Sequence, residues 1–178
     1  MKFIKNIKIS VEFLSHQPLT HFFDVAAKRD VCCTLKRNIL IIKDNFSINV
    51  FKKLNGNYHF NITGIRVIDG VDAVIVWLRN TYCNKTDFCL ISHRIDNITA
   101  AFDVGCFLNL DVLAANIHNS SYNPERFHAL YIKNVEHIKG TIVLFQTGKI
   151  NIIGTNSVEN VLLLWKFIKE KIDAVMMK

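Results

Sequence analysis

Tyr122 to Gly154 reads YNPERFHALYIKNVEHIKGTIVLFQTGKINIIG, two or three short β-strands with one Phe, Phe127, at the start of a strand and another, Phe145, at the end of the next. On these residues alone, packing into a core is the better reading of both rings. Around this stretch lies a chain of 178 residues with 50% hydrophobic content, enough to bury a core in one large domain or two small ones. Lys and Arg number 22 against 15 acidic residues, a formal +7 with a pI near 9.2, which points to a polyanionic partner.

Other classes drop out on simple grounds. The five cysteines, Cys32, Cys33, Cys83, Cys89 and Cys106, form no CxxC pair and have no histidine at ligand spacing, so they read as reduced thiols in a reducing compartment, with no metal expected. Lys2, Lys5 and Lys8 interrupt every apolar run at the start, which therefore reads as a strand from Ile7 to Phe13 and not as a signal peptide or membrane span. There is no GxSxG, P-loop, HExxH or zinc signature, so no enzyme, cofactor or small-molecule substrate is expected.

The chain repeats itself. IKNI at Ile4 recurs as IDNI at Ile95, NITG at Asn61 recurs as NIIG at Asn151, and VDAVIVWL at Val71 recurs as VENVLLLW at Val158, offsets of 91, 90 and 87 residues. Three echoes in one order at nearly one offset indicate a duplication, with repeats at 1–87 and 88–178 forming one domain. Each repeat reads as strand, helix, a meander of strands and a final helix. In the first these are Phe3 to Phe13, Leu19 to Lys28, strands between Asn38 and Gly64, and a helix from Val67 to Arg79. In the second they are Arg94 to Asp103, Leu108 to His118, strands between Phe127 and Ile153, and a helix from Ser157 to Ile172.

That order predicts an α+β fold, an antiparallel sheet with helices on one face and the other face bare. If Ile150 and Ile152 face the helices, Asn151 and Ile153 face outward with Val143, Phe145 and Thr147, as do Asn61 and Thr63 in the first repeat. In VENVLLLWKFIKEKI, the stripe Val158, Val161, Leu162, Trp165, Ile168 and Ile172 is expected in the core, leaving Leu164 and Phe167 for the other repeat or for a partner patch.

The residues now carry a resemblance. RIDNITAAFDVGCFLNLDVLAANIHNSSYNPERF, Arg94 to Phe127, resembles the first strand, helix and Tyr-Asn-Pro-basic-Arg-Phe segment of the TATA-box-binding protein family, with Glu125 in place of the basic residue. LFQTGKINIIG, Leu144 to Gly154, resembles the family's Phe-x-x-Gly-Lys hairpin. The resemblance implies a saddle: two pseudo-symmetric repeats, one curved antiparallel sheet, and helices on the convex face. It also implies a transcription initiation factor that binds and bends A·T-rich double-stranded DNA through the minor groove, the TATA-binding protein being the standard case of such bending.

On that footing Phe127 and Phe145 are a wedge pair between base steps, which reverses the reading made on the residues alone. Asn6 and Asn97 donate to A N3 and T O2 near the centre, where the plain alternative is an asparagine satisfied by backbone. Val143, Thr99 and Ile153 supply surface against sugars and bases, while Arg126, Lys133 and Lys149 meet phosphates. The first repeat keeps Thr63 and, 13 residues before Gly64 against 9 in the second repeat, Phe51. It departs at Lys8, at Asn61 (as does Asn151), and at VCCTLKRNI, where Leu35 is the nearest candidate for the missing wedge.

The implied protein partners are other general transcription factors or RNA polymerase subunits, meeting the turn from Tyr122 through Glu125 to Arg126 and the apolar helix face at Leu164 and Phe167. The implied place of action is a host nucleus or a cytoplasmic site of viral replication. Heavy use of Asn, Ile, Lys and Phe fits an A·T-rich genome, such as that of a virus or parasite. The rival readings are a protein-interaction module that has lost groove binding and a general duplex platform of the same fold.

Overall fold

The computed structural model describes residues 3–83, 89–133 and 135–177, so Lys2 and the sequence boundary at 87/88 lie outside the described residues. Ten strands and four helices follow in the order β1 (Ile4–Leu14), α1 (Leu19–Lys28), β2 (Cys32–Lys36), β3 (Ile39–Lys43), β4 (Ser47–Lys52), β5 (Tyr58–Ile65), α2 (Gly70–Tyr82), β6 (Cys89–Asp103), α3 (Leu110–Asn116), β7 (Ser120–Asn123), β8 (Phe127–Lys133), β9 (Thr141–Phe145), β10 (Lys149–Thr155) and α4 (Val158–Met176). The chain forms two compact units, one of Asn6–Asp96 and the other of Met1–Lys5 with Asn97–Lys178. No helix among the described residues is long and apolar enough to cross a membrane.

In the Asn6–Asp96 unit the strand order is β2-β3-β4-β5-β1, every pair antiparallel. Ile7, Ile9, Val11 and Phe13 of β1 and Tyr58, Phe60 and Ile62 of β5 are fully buried, the period of two that places one side of each strand under the helices. Phe22 of α1 seals that layer edge-on against Tyr58 and Phe60, at 5.0 and 5.4 Å between ring centres, and Phe13 meets Phe60 at 5.5 Å. α2 is held by Trp77 against Phe46 at 5.3 Å and by the Tyr82 hydroxyl donating to Asp44 at 2.7 Å. Burial pushes that phenol well above its usual range, and Asp44 adds to the effect.

The other unit has the order β6-β10-β9-β8-β7, again antiparallel. The Ser157 side chain caps α4 by accepting from the Asn160 N–H at 3.1 Å, and Asn109 caps α3 by accepting from Val112 at 3.1 Å. α4 lays Trp165 flat on Phe102 of β6, 4.3 Å between ring centres at 7°, and Phe3 stacks on Phe102 at 5.1 Å. The first residues of the chain thus contribute to the core of its second repeat.

The expected core stripe of α4 needs correction. Its buried residues are Val161, Leu164, Ile168 and Ile172; Leu164 is fully buried, while Leu162, placed in the core from sequence, is 44% exposed. In a run with five consecutive apolar residues, Val161 to Trp165, the stripe can be drawn at two rotations, and the i, i+3, i+7, i+11 set that packs includes Leu164. Leu164 is therefore core, not part of a partner patch, and Phe167 is half-buried.

Candidate nucleic-acid interface

In each unit the side of the sheet away from the helices is a series of side-chain rows set by strand register. In the Asn97–Lys178 unit one row runs Ser121, Tyr131, Val143, Asn151, Ala101. Phe145 stands opposite Ala129, and Phe127, one strand step away at the turn, brings its ring within 6.3 Å of Phe145 and 5.5 Å of Tyr131. Phe127 is 46% exposed although it has aromatic neighbours, a ring standing on the face and not sunk into it. Val143 is on the face as expected, but its neighbours leave it only 5% exposed, so it offers floor and little contact surface. Thr147 sits in the turn before β10 and not on a strand; it is exposed beside Lys149, and Ile153 and Lys133 are exposed on the strands. Arg126 is exposed in the turn whose backbone closes from its N–H to the Asn123 carbonyl at 3.1 Å; Glu125 beside it is exposed and Tyr122 half-buried.

The equivalent row of the Asn6–Asp96 unit is Thr34, Ile41, Asn49, Asn61, Ser10. Asn49 stands against Asn61 as Val143 stands against Asn151, so the first hairpin keeps the register of the second and its extra residues lie in the turn between β4 and β5. Phe51 is flanked by Ile39 and His59, and Thr63 pairs with Ser47. Leu35 is misplaced by the sequence reading: it pairs with fully buried Leu40 and so points to the helix side. The left-handed turn at Arg37, φ 49°, separates the parity of β2 from that of β3. The apolar side chain that stands beside Phe51 on the outer face is Ile39, 37% exposed. The repeat offset carried through to β3 would have found it, because Ile39 lies 90 residues before Ala129.

Asn6 and Asn97 occupy matching positions where register slips in their strand pairs. The Asn6 side-chain oxygen accepts from the Gly64 N–H at 2.7 Å, and the Asn97 oxygen accepts from the Gly154 N–H at 2.8 Å. A backbone N–H can only donate, so each amide is fixed with its oxygen inward and its Nδ2, a pure donor, at the other end. Asn97 Nδ2 lies 3.3 Å from the Thr99 hydroxyl. The plain reading, backbone satisfaction, and the functional one describe two ends of one side chain.

The charges differ between the units. Lys8, a departure from the family pattern, lies 3.8 Å from Asp96, which also accepts from Arg94 Nε at 2.8 Å and from the Ser10 hydroxyl. Burial is the largest single influence on the Asp96 carboxyl and raises its pKa. The bonds from Ser10 and Arg94 and the charges of Arg94 and Lys8 together outweigh it, and the net direction is down. A depressed carboxylate stabilises the fold above its unfolded pKa, and that contribution is lost as pH falls through the folded value. Urea midpoints of the wild type should therefore fall more steeply below about pH 4 than those of Asp96→Asn, the difference vanishing near neutral pH apart from a constant offset. Glu12 is held low in the same way by bonds from Lys53 and Asn57, at 2.5 and 2.9 Å.

Residues 92–175 match the family Transcription factor TFIID (or TATA-binding protein, TBP), and the chain superposes on Methanococcus jannaschii TBP with a TM-score of 0.76 over 97% of this chain and 98% of that one. The second repeat matches the TATA-box-binding protein family, and the chain as a whole shares the fold of a solved member. The divergence is measurable. Identity to the Methanococcus structure is 21%, so that likeness speaks for the fold alone. TATA-box-binding protein 2 of Entamoeba histolytica is 40% identical over 66 residues, 37% of this chain and 31% of that protein. The TATA-box-binding protein of Saccharomyces cerevisiae is 36% identical over 63 residues, covering 35% and 26%, and that of Thermoplasma acidophilum 32% over 80, covering 45% and 43%. The chain thus aligns with less than half the length of the curated relatives it matches, and the family match falls on the second repeat, where the YNPxRF and FxxGK motifs lie. The α+β fold expected from the repeat is the fold found.

Proposed function

We propose that the outer sheet face binds A·T-rich duplex DNA through the minor groove, wedging and bending it, and that the chain acts as a transcription initiation factor. The observation that carries this reading is the matched pair of amides, Asn6 on Gly64 and Asn97 on Gly154, each held so that a donor is left over. Donors fixed in advance suit the A N3 and T O2 acceptors of that groove and lose no rotamer freedom on binding. Phe127 and Phe145 supply stacking surface; Arg126, Lys133 and Lys149 supply charge for phosphates. Bound DNA would be presented to other transcription factors or polymerase subunits through the exposed turn at Glu125 and Arg126, with Tyr122 behind it, and through Phe167 and the exposed Leu162 and Leu163 of α4.

The test is fluorescence anisotropy with end-to-end energy transfer on A·T-rich and G·C-rich duplexes over a range of salt. Selective binding to the A·T-rich duplex with shortening of the end-to-end distance is expected. Weak, unselective binding with a steep salt slope and no shortening would reduce the interaction to charge. One observation favours the rival reading of a protein-interaction module: the carboxylates of Glu12 and Asp96 lie on the outer face of the Asn6–Asp96 unit, where a polyanion would meet them. Both are neutralised by bonded cations, Lys53 and Arg94, which keeps groove binding the better reading.

A further inference from the structure

The outer face of the Asn6–Asp96 unit carries a polar chain that has no counterpart among the described residues of the other unit. Ser10 bonds Asp96, Ser10 Oγ lies 3.0 Å from the end of the Asn61 amide, and the same amide end lies 3.0 Å from His59 Nε2. At the repeat offset of 91 residues, Ser10 and Asp96 correspond to Ala101 and Lys5, so Asn151 has no equivalent hydroxyl or carboxylate to hold it.

Counting hydrogens orients Asn61. Ser10 has one hydroxyl hydrogen, and a carboxylate paired with Arg94 accepts it in preference to a neutral amide oxygen. Ser10 Oγ then has only lone pairs to offer Asn61. An oxygen facing it at 3.0 Å would be repelled, whereas the NH₂ end of the amide, the same in size and shape, donates one hydrogen to Ser10 and the other to His59 Nε2. The His59 proton then sits on Nδ1, a buried atom without a hydrogen-bond partner among the described residues. With Nδ2 turned inward, Asn61 Oδ1 is the outward end: an acceptor, where Asn6 and Asn97 leave donors. Asn61 is half-buried on the face, so that end is accessible.

In the minor groove the 2-amino group of guanine is the one base-edge donor. We propose that Asn61 reads a guanine, its Oδ1 accepting from that amino group, so that one step of the duplex facing the Asn6–Asp96 unit is a G·C pair. This rests on the minor-groove reading above and makes the recognised sequence asymmetric: A·T-rich where Asn97 and Asn151 lie, interrupted by G·C where Asn61 lies.

The experiment compares guanine with inosine, which lacks only the 2-amino group, in an otherwise A·T-rich duplex in which each base pair in turn is G·C or I·C. At most positions removing the amino group should leave binding unchanged or improve it. At the position read by Asn61, inosine should bind about threefold to tenfold more weakly, the loss of one hydrogen bond. Ser10→Ala should erase that difference while the all-A·T duplex still binds, and Asn61→Val should erase the difference as well; if Asn61→Val fails to fold, Ser10→Ala decides. Inosine equal to or better than guanine at every position, with the all-A·T duplex bound, would overturn the assignment of Asn61 and leave the minor-groove reading intact. No binding to the all-A·T duplex or to any substituted one would overturn both.

Discussion

Replacing Phe127 and Phe145 together by alanine is expected to weaken duplex binding about a hundredfold and to remove most of the bend. Stacking a ring on a base contributes roughly 1–3 kcal/mol, and the two rings, 6.3 Å apart, would act at one step. The fold should tolerate the change, because Phe127 is 46% exposed at a turn and Phe145 is half-buried on the outer face, with the core residues Leu130 and Leu144 beneath on the other side of the sheet. Thermal melting of the variant checks that point, and energy transfer between the duplex ends reads the bend. Phe51→Ala should cost less, because the partner beside Phe51 is aliphatic Ile39 and a ring of His59 lies 6.5 Å away. Equal losses of bending from Phe51→Ala and Phe145→Ala would count against this asymmetry between the two units.

Gly148→Val is expected to be the most damaging single substitution for stability, lowering it by about 3–5 kcal/mol. Gly148 has φ 85°, and a Cβ there would lie 2.3 Å from the Cys106 carbonyl oxygen and 3.1 Å from a Val104 methyl. The turn cannot shift to make room without loss, since Gly148 N–H bonds Phe145 at 3.0 Å, its carbonyl accepts from Val104 at 3.1 Å, and the Gln146 carbonyl accepts from Leu108 at 2.9 Å. Gly56 separates backbone strain from collision: at φ 87° it has nothing within 4 Å, so Gly56→Ala should cost about 1 kcal/mol. Urea unfolding of the two variants side by side gives both numbers; similar losses would mean that the contact with Cys106 relaxes freely.

The sequence was most legible where one period governed a whole element. α1 runs Leu19–Lys28 as read, and the buried Ile150 and Ile152 with Asn151 and Ile153 outward follow directly from alternation. The repeat located Asn6 and Asn97 because duplication preserves position even when the surrounding residues have diverged. It failed where local pattern leaves parity or rotation free. Leu35 was given the wrong side of the sheet because a left-handed turn at Arg37 intervenes, and Leu164 the wrong side of α4 because five apolar residues in a row admit two stripes. The Ser10, Asp96, Asn61 and His59 chain joins residues up to 86 apart in sequence, and no spacing rule brings such residues together before the strands are ordered.

The stack of Phe3 on Phe102, itself lying on Trp165, has a consequence for how the chain is made. Phe3 leaves the ribosome before its partners, which follow about 100 and 160 residues later. At roughly 5–20 residues per second it waits on the order of ten seconds for them. The Asn6–Asp96 unit can close as soon as Asp96 has emerged, but the other joins Met1–Lys5 to the residues that follow Asp96. A change that displaces Phe3 would therefore disturb the half synthesised last.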